Sequence, residues 1–93
     1  MSNEENEPLD DVDLLTEMVK ALVRYPDHVK VIEEENQDGK VLEISVADRT
    51  DRGRVIGYKG INIESIRALF RSIGTFDGKR KVFVNLESED RAA

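Results

Sequence analysis

The apolar residues of the N-terminal part recur at the spacing of an α-helix. They fall on one face of that helix, and charged residues occupy the positions between them. The residues on this face are Leu15, Met18, Val19, Leu22 and Val23. The helix is predicted to begin between Leu9 and Asp13. It is predicted to end near Arg24 or Tyr25, because the proline that follows biases the preceding residue away from helix.

A second amphipathic helix is predicted in the C-terminal half. Its apolar face consists of Ile63, Ile66, Leu69, Phe70 and Ile73. Gly74 is a natural end for this helix, and residues 75–78 are predicted to form a loop. A shorter helix is predicted to run up to Ile56, with Thr50 or Asp51 as its N-cap.

Three short segments are rich in branched residues and alternate in polarity, which predicts β-strands. They span residues 29–34, 41–46 and 80–87. Asp38-Gly39, between the first two, is typical of a hairpin turn. A two-residue loop centred there would place Glu33 opposite Ile44 and mix polar with apolar faces. A longer loop or a bulge is therefore predicted.

The predicted order is helix, strand, strand, short helix, helix, strand. Three strands form one small sheet with the helices packed on one face, which is an α+β arrangement. A length of 93 residues favours one domain with a thin core. The domain is predicted to span residues 9–87. A disordered acidic tail at 1–8 and a flexible C-terminal tail at 88–93 flank it.

Charge is distributed unevenly along the chain, whose formal net charge is -6. Residues 49–81 include nine basic and three acidic side chains, so this segment carries +6 and the remainder carries -12. A basic region of this kind favours an anionic partner. The chain has no cysteine and no apolar run near the ~20 residues that cross a bilayer. With an acidic N-terminus, this predicts a cytoplasmic protein without a membrane partner.

Catalytic and metal chemistry have little support in the sequence. A single histidine, His28, and the absence of cysteine argue against a zinc site. The three acids Glu33, Glu34 and Glu35 beside a turn are typical of a solvated edge rather than of an acid/base pair. No phosphate loop or dinucleotide fingerprint is present. We therefore expect a protein that is not an enzyme and carries no cofactor.

The turn Gly57-Tyr58-Lys59-Gly60 lies between the short and the long helix, inside the basic segment. Glycine lets another backbone come close. A helix that begins just after the turn presents free amide groups, which favour a phosphate. A glycine-x-x-glycine loop of this kind clamps about four backbone nucleotides in KH domains.

The segment from Gly53-Arg54 through Val55-Ile56 to this turn resembles the signature of KH domains. The element order resembles the type II, or prokaryotic, fold, α-β-β-α-α-β. The single-domain length, the leading helix that ends at a proline, and segments 19–23 and 53–57 resemble the KhpA family of small bacterial KH proteins. The resemblance covers the chain from about residue 10 to about residue 87. It implies a single-stranded RNA-binding module that acts as an RNA chaperone or post-transcriptional regulator.

The resemblance also implies an RNA-binding site around the turn. Gly57 and Gly60 would admit a sugar-phosphate backbone, and Lys59 would supply charge to a phosphate. Tyr58 would stack on a base or pack against a sugar, or else is simply a solvent-facing aromatic. The complete predicted site is Arg52, Gly53, Arg54, Ile56, Gly57, Tyr58, Lys59, Gly60, Ile63 and Arg67.

Several of these residues have an alternative interpretation. One of Arg52 and Arg54 faces the groove, while the other decorates the surface. Ile56 and Ile63 serve the core first and floor the groove second. Arg67 either extends the positive field or pairs with acids elsewhere.

A KH unit that grips about four nucleotides gains effective concentration from a second copy or a partner. The family resemblance implies a homodimer, or a heterodimer with a larger KhpB (Jag-like) RNA-binding protein. An alternative function is a protein-interaction or dimerisation subunit with weak or no RNA binding. A helix-turn-helix DNA binder is a third hypothesis, and the strands on both sides of the turn argue against it.

Overall fold

The computed structural model describes residues 10–76 and 81–87. Within them the helices are α1 (Asp11–Leu22), α2 (Arg49–Ile56) and α3 (Ile61–Phe76), and the strands are β1 (Lys30–Glu35), β2 (Gly39–Ser45) and β3 (Lys81–Leu86). Single 3₁₀ turns occupy Pro26–His28 and Tyr58–Gly60. The predicted order α-β-β-α-α-β is confirmed. None of the helices in the described ranges has the length and hydrophobicity needed to span a bilayer.

The three strands form one sheet in the order β1-β2-β3. β2 is central, antiparallel to β1 and parallel to β3. Its inward residues Leu42 and Ile44 are fully buried, and Val84 of β3 lies beside Leu42. The helices contribute Leu15 and Phe70 to the same core. The predicted α+β fold, with helices packed on one face of the sheet, is therefore confirmed.

The hairpin turn differs from the prediction. Asn36 and Gly39 exchange two backbone hydrogen bonds, so the loop consists of Gln37 and Asp38 alone. The Asn36 carboxamide oxygen accepts the backbone N–H groups of Asp38 and Gly39, which closes the turn one residue earlier than the Asp-Gly pair suggested. The expected longer loop or bulge was wrong.

The register that follows from this turn keeps the apolar residues in the core. Val31, rather than Glu33, lies opposite Ile44. Glu33 falls on the inward face near the hairpin end, where its carboxylate lies 3.7 Å from the ammonium of Lys40. The same ammonium lies 3.2 Å from the carboxylate of Asp11 at the start of α1. An ion-pair cluster therefore replaces apolar packing at this end of the sheet.

The N-cap of α2 also differs from the prediction. Asp48, and neither Thr50 nor Asp51, caps the helix by accepting the backbone N–H of Asp51 at 3.0 Å. Asp51 is instead buried, 1% exposed. Its carboxylate accepts the backbone N–H groups of Arg24 and Tyr25, just beyond the end of α1. Asp51 lies inside α2 rather than at its N-cap position, and its side chain holds the end of α1 against α2.

Helix α3 does not end at Gly74 but continues to Phe76. Gly74 is buried, and tertiary packing at such a position outweighs the low helix propensity of glycine. Residues 75 and 76 of the predicted loop are thus helical. Residues 77–80, with the rest of that loop and the predicted start of the last strand, lie outside the described residues. So do the predicted tails at 1–8 and 88–93.

Candidate nucleic-acid interface

The glycine turn has an unusual backbone conformation. Gly57 ends α2 with a φ of +80°, and its N–H donates to the carbonyl of Gly53 at 2.8 Å. Lys59 and Gly60 follow with φ values of +53° and +79°. Among the described residues, Lys59 is the only one other than glycine with a positive φ. This left-handed conformation costs an L-residue roughly 1–2 kcal/mol, and such strain clusters at functional sites.

The two glycines of the turn are required for different structural reasons. A Cβ added to Gly57 would lie 2.6 Å from Cγ of Asn62, so a side chain there would collide with the start of α3. A Cβ added to Gly60 would meet no atom within 4 Å. Gly60 is therefore required by its conformation alone, and the space beside its backbone is open to a ligand.

Two exposed side chains project from the tip of the turn. Tyr58 is 80% exposed, an unusual fraction for an aromatic residue. The ammonium of Lys59 lies 5.4 Å from the centroid of the Tyr58 ring, within cation–π range. An aromatic surface and a cation thus lie side by side. This combination can stack on a base and neutralise the neighbouring phosphate.

Arg54 lies on the last turn of α2 and is exposed next to the glycine turn. Gly53, one position earlier, is also exposed, and a Cβ there would meet nothing within 4 Å. The structure thus brings these two predicted site residues together with the turn. Ile56 is half-buried, whereas Ile63 is 6% exposed and belongs to the core.

The other two predicted arginines bond to β3. Nε of Arg52 donates to the carbonyl of Glu87 at 2.9 Å, at the end of the strand. Nε of Arg67 donates to the carbonyl of Val84 at 2.8 Å, and its Nη1 donates to Glu64 at 2.9 Å. Both side chains therefore brace α2 and α3 against a strand at the sheet edge. One of Arg52 and Arg54 was expected to face the groove. Arg52 is bonded at the end of β3, whereas in the described part of the chain Arg54 makes no such bond to β3 and is the better candidate.

The sequence reasoning missed two residues that shape this region, Asn62 and Asp48, and gave a third, Asp51, the wrong role. Asn62 donates from Nδ2 to the carbonyl of Arg54 at 2.8 Å and so bridges the turn. Asp48 and Asp51 fix the start of α2. Asp48, just before the short helix, is a capping signal that can be found in the sequence, whereas the contact of Asn62 with Arg54 has no such local signal.

The carboxylate of Asp48 is stabilised in its charged form. It accepts the backbone N–H of Asp51, and Nη2 of Arg24 lies 3.1 Å away. The hydrogen bond from the Asp51 N–H contributes most to lowering the pKa of Asp48 below its ordinary value, and the Arg24 guanidinium lowers this pKa further. The start of α2, and with it the placement of the turn, is therefore coupled to an ionised group.

A groove separates α1 from α3 on the helical side of the molecule. Its volume is about 300 Å³, and its walls are mostly apolar. The lining residues are Met18, Ala21, Leu22, Asn62, Ser65, Ile66 and Leu69. Leu69 was predicted on the apolar face of the helix, and it is 53% exposed along this groove. Among the described residues, no cluster of side chains is suited to hold a metal ion.

Comparison with known proteins matches this chain to one family. The family model described as KhpA/KhpB, KH domain, matches residues 12–86. The RNA-binding protein KhpA of Leifsonia xyli is 39% identical over 66 residues, which cover 71% of this chain and 83% of that protein. KhpA of Bacillus subtilis is 35% identical, covering 76% of this chain and 86% of the relative. KhpA of Clostridium acetobutylicum is 36% identical, covering 74% and 91%.

Proposed function

The chain belongs to the KhpA/KhpB family of KH domains, and from this premise we propose that it is a single-stranded RNA-binding module. The observation that carries the proposal is the turn between α2 and α3. There an open glycine backbone lies beside an exposed aromatic ring and an exposed ammonium. These are the groups that a sugar-phosphate backbone and an unstacked base require.

In the proposed mode of binding, the sugar-phosphate backbone passes over Gly60, where no side chain obstructs it. Lys59 neutralises a phosphate, and Tyr58 stacks on a base or packs against a sugar. Arg54 extends the positive surface along α2. Arg52 and Arg67 support the site by holding the helices to β3, which is a different role from direct contact.

We place this activity in the cytoplasm, as an RNA chaperone or post-transcriptional regulator without catalysis of its own. A module that grips about four nucleotides binds weakly and with strong salt dependence. A second copy of this chain, or a larger KhpB-type protein, would raise the effective concentration of binding sites.

A second candidate function is that of a protein-interaction subunit with weak or no RNA binding. The apolar groove between α1 and α3 favours it, because exposed leucine beside an open apolar channel is typical of a docking surface. The two functions are compatible on one molecule, since the groove and the glycine turn use different residues apart from Asn62.

The test is the double substitution Tyr58→Asp with Lys59→Asp. Both side chains are exposed, so the circular dichroism spectrum and melting temperature should stay close to those of the wild type. Binding to short single-stranded RNA should be lost, because two negative charges replace a stacking ring and a cation. Lys30→Asp, an exposed charge reversal on β1, is the matched control and should bind normally.

Undiminished binding by the double variant would contradict the assigned site. A wild type that binds no RNA even at low salt, while forming a stable dimer or partner complex, would favour the second candidate function.

A further inference from the structure

Asn62 connects the two helices that flank the glycine turn. Its Nδ2 donates a hydrogen bond across the turn to the carbonyl oxygen of Arg54, 2.8 Å away and eight residues earlier in the chain. The final carbonyls of a helix have no donor within the helix itself. Asn62 supplies a donor at this position, and it thereby joins the end of α2 to the start of α3.

The same side chain packs against the first glycine of the turn. A Cβ at Gly57 would lie 2.6 Å from Cγ of Asn62 and 2.7 Å from Nδ2. The asparagine thus fills the space that a side chain at position 57 would need. Lys59 adopts a positive φ at a steric cost, whereas Gly57 and Gly60 adopt it without cost but can as easily leave it, so the turn keeps one shape only where surrounding contacts fix it. Asn62 provides contacts of this kind.

We infer that Asn62 is a positioning residue for RNA, which fixes the shape of the glycine turn while leaving the phosphate contacts to other groups. This inference rests on the proposed function. A turn that is already held in its binding shape loses less conformational entropy when RNA binds. Removing the bond to Arg54 should therefore weaken RNA binding although no charge is removed.

The experiment compares full-length wild type, Asn62→Ala and Lys59→Asn. The affinity for a short fluorescein-labelled oligouridine is measured by anisotropy at several potassium chloride concentrations. Asn62→Ala should bind about three- to tenfold more weakly, the effect of one lost hydrogen bond. Its slope of log affinity against log salt should equal that of the wild type. That slope is negative, and Lys59→Asn should make it less steep by about 0.7, because it removes a phosphate contact.

Ser72→Ala is the matched control, since it shortens an exposed polar side chain of α3 that does not line the groove. It should bind RNA as the wild type does. Asn62→Ala binding as tightly as the wild type would overturn the inference. A salt slope reduced as in Lys59→Asn would also overturn it, because Asn62 would then contact phosphate directly.

Hydrogen exchange separates positioning from general stability. The N–H of Gly60 donates to the carbonyl of Gly57 at 3.0 Å inside the turn. In Asn62→Ala this amide should exchange faster, while amides of the core strand β2 should keep their rates. Uniform acceleration throughout the chain would overturn the inference in favour of a purely structural role. A wild type that binds no RNA would overturn the proposed function first, a result distinct from an unaffected variant of a binding wild type.

Discussion

Two turns in the described part of the chain combine glycine with an asparagine in or close to the turn, and they differ in what surrounds them. The hairpin turn Asn36–Gly39 has acidic neighbours, and the glycine turn Gly57–Gly60 has basic ones. A Cβ at Gly39 would collide with the backbone oxygen of Lys81. A Cβ at Gly60 would meet nothing within 4 Å. The first glycine is explained by the protein's own packing, whereas the second leaves open space outside the protein.

The asparagines of the two turns also differ in reach. Asn36 closes its turn locally, by accepting N–H groups two and three residues ahead. Asn62 instead reaches back eight residues to Arg54 and joins two helices. A local bond stabilises the hairpin by itself, while the glycine turn depends on the placement of its helices. The comparison assigns the hairpin a role in folding, and the open backbone of the glycine turn is what the proposed RNA site requires.

The largest effect is expected from Gly39→Ala. The new methyl group would collide with the β3 backbone, and alanine disfavours a φ of +153°. The free energy of unfolding should fall by about 3 kcal/mol, measured by urea denaturation. RNA affinity per folded molecule should stay unchanged. A Gly39→Ala variant as stable as the wild type would contradict the claim that close packing against β3 requires glycine at position 39.

Gly60→Ala should have a smaller effect on stability and a larger one on binding. Its φ of +79° costs alanine about 1 kcal/mol, and no atom is close enough for a collision. RNA affinity should fall roughly tenfold, because the methyl group enters the space proposed for the sugar-phosphate backbone. Equal RNA affinity in Gly60→Ala and wild type would break the distinction between the two turns.

Neutralising Lys59 in the glycine turn and, separately, Lys30 on β1 tests whether RNA binding depends on charge at the turn. Lys59→Asn avoids new backbone strain, since asparagine tolerates the left-handed conformation. It should weaken RNA binding at low salt and reduce the salt dependence. Lys30→Asn, on the exposed edge of β1, should change neither. Equal losses in the two variants would indicate a diffuse electrostatic attraction instead of a site at the turn.

The smallest expected effect is a loss of stability at acid pH. The lowered pKa of Asp48 means that its contribution to stability is complete above the ordinary carboxyl value of 3.8. That contribution is lost as the pH falls through the lower folded-state pKa. Asp48→Asn keeps a good N-cap without the charge. Unfolding followed from neutral pH to below pH 3.8 should therefore show a shrinking difference between this variant and the wild type.

The hairpin supplies the control for the acid experiment, because its turn is closed by the neutral carboxamide of Asn36. The destabilisation caused by Asn36→Ala should be independent of pH over the same range. A constant difference between wild type and Asp48→Asn would show that the Asp48 charge contributes nothing.

The order of elements and the fold were predictable, because amphipathic spacing and strand alternation report burial directly. Polar contacts between segments far apart in the sequence could not be predicted in this way. Asp51 looked like a helix cap, and only the packing of α1 on α2 shows that it binds the amides of Arg24 and Tyr25. Arg67 was expected either to extend the positive field or to pair with an acid. It pairs with Glu64, but its bond to the carbonyl of Val84 on β3 could not be predicted from local pattern.

The hairpin shows a similar limit. Asn36 and Asp38-Gly39 are both turn-forming signals, and which of them sets the register depends on the pairing of whole strands. The glycine turn was found because it combines conformation, charge and helix boundaries within four residues. Its role as an RNA site stays a prediction.

The most direct test of the central claim is a titration of isotope-labelled protein with short single-stranded RNA, followed by amide chemical shifts. The largest changes are expected at residues 53–60, with little change at the hairpin turn 36–39. Changes centred on the hairpin or on the groove between α1 and α3, or no changes at low salt, would contradict the assignment of the glycine turn as the RNA site.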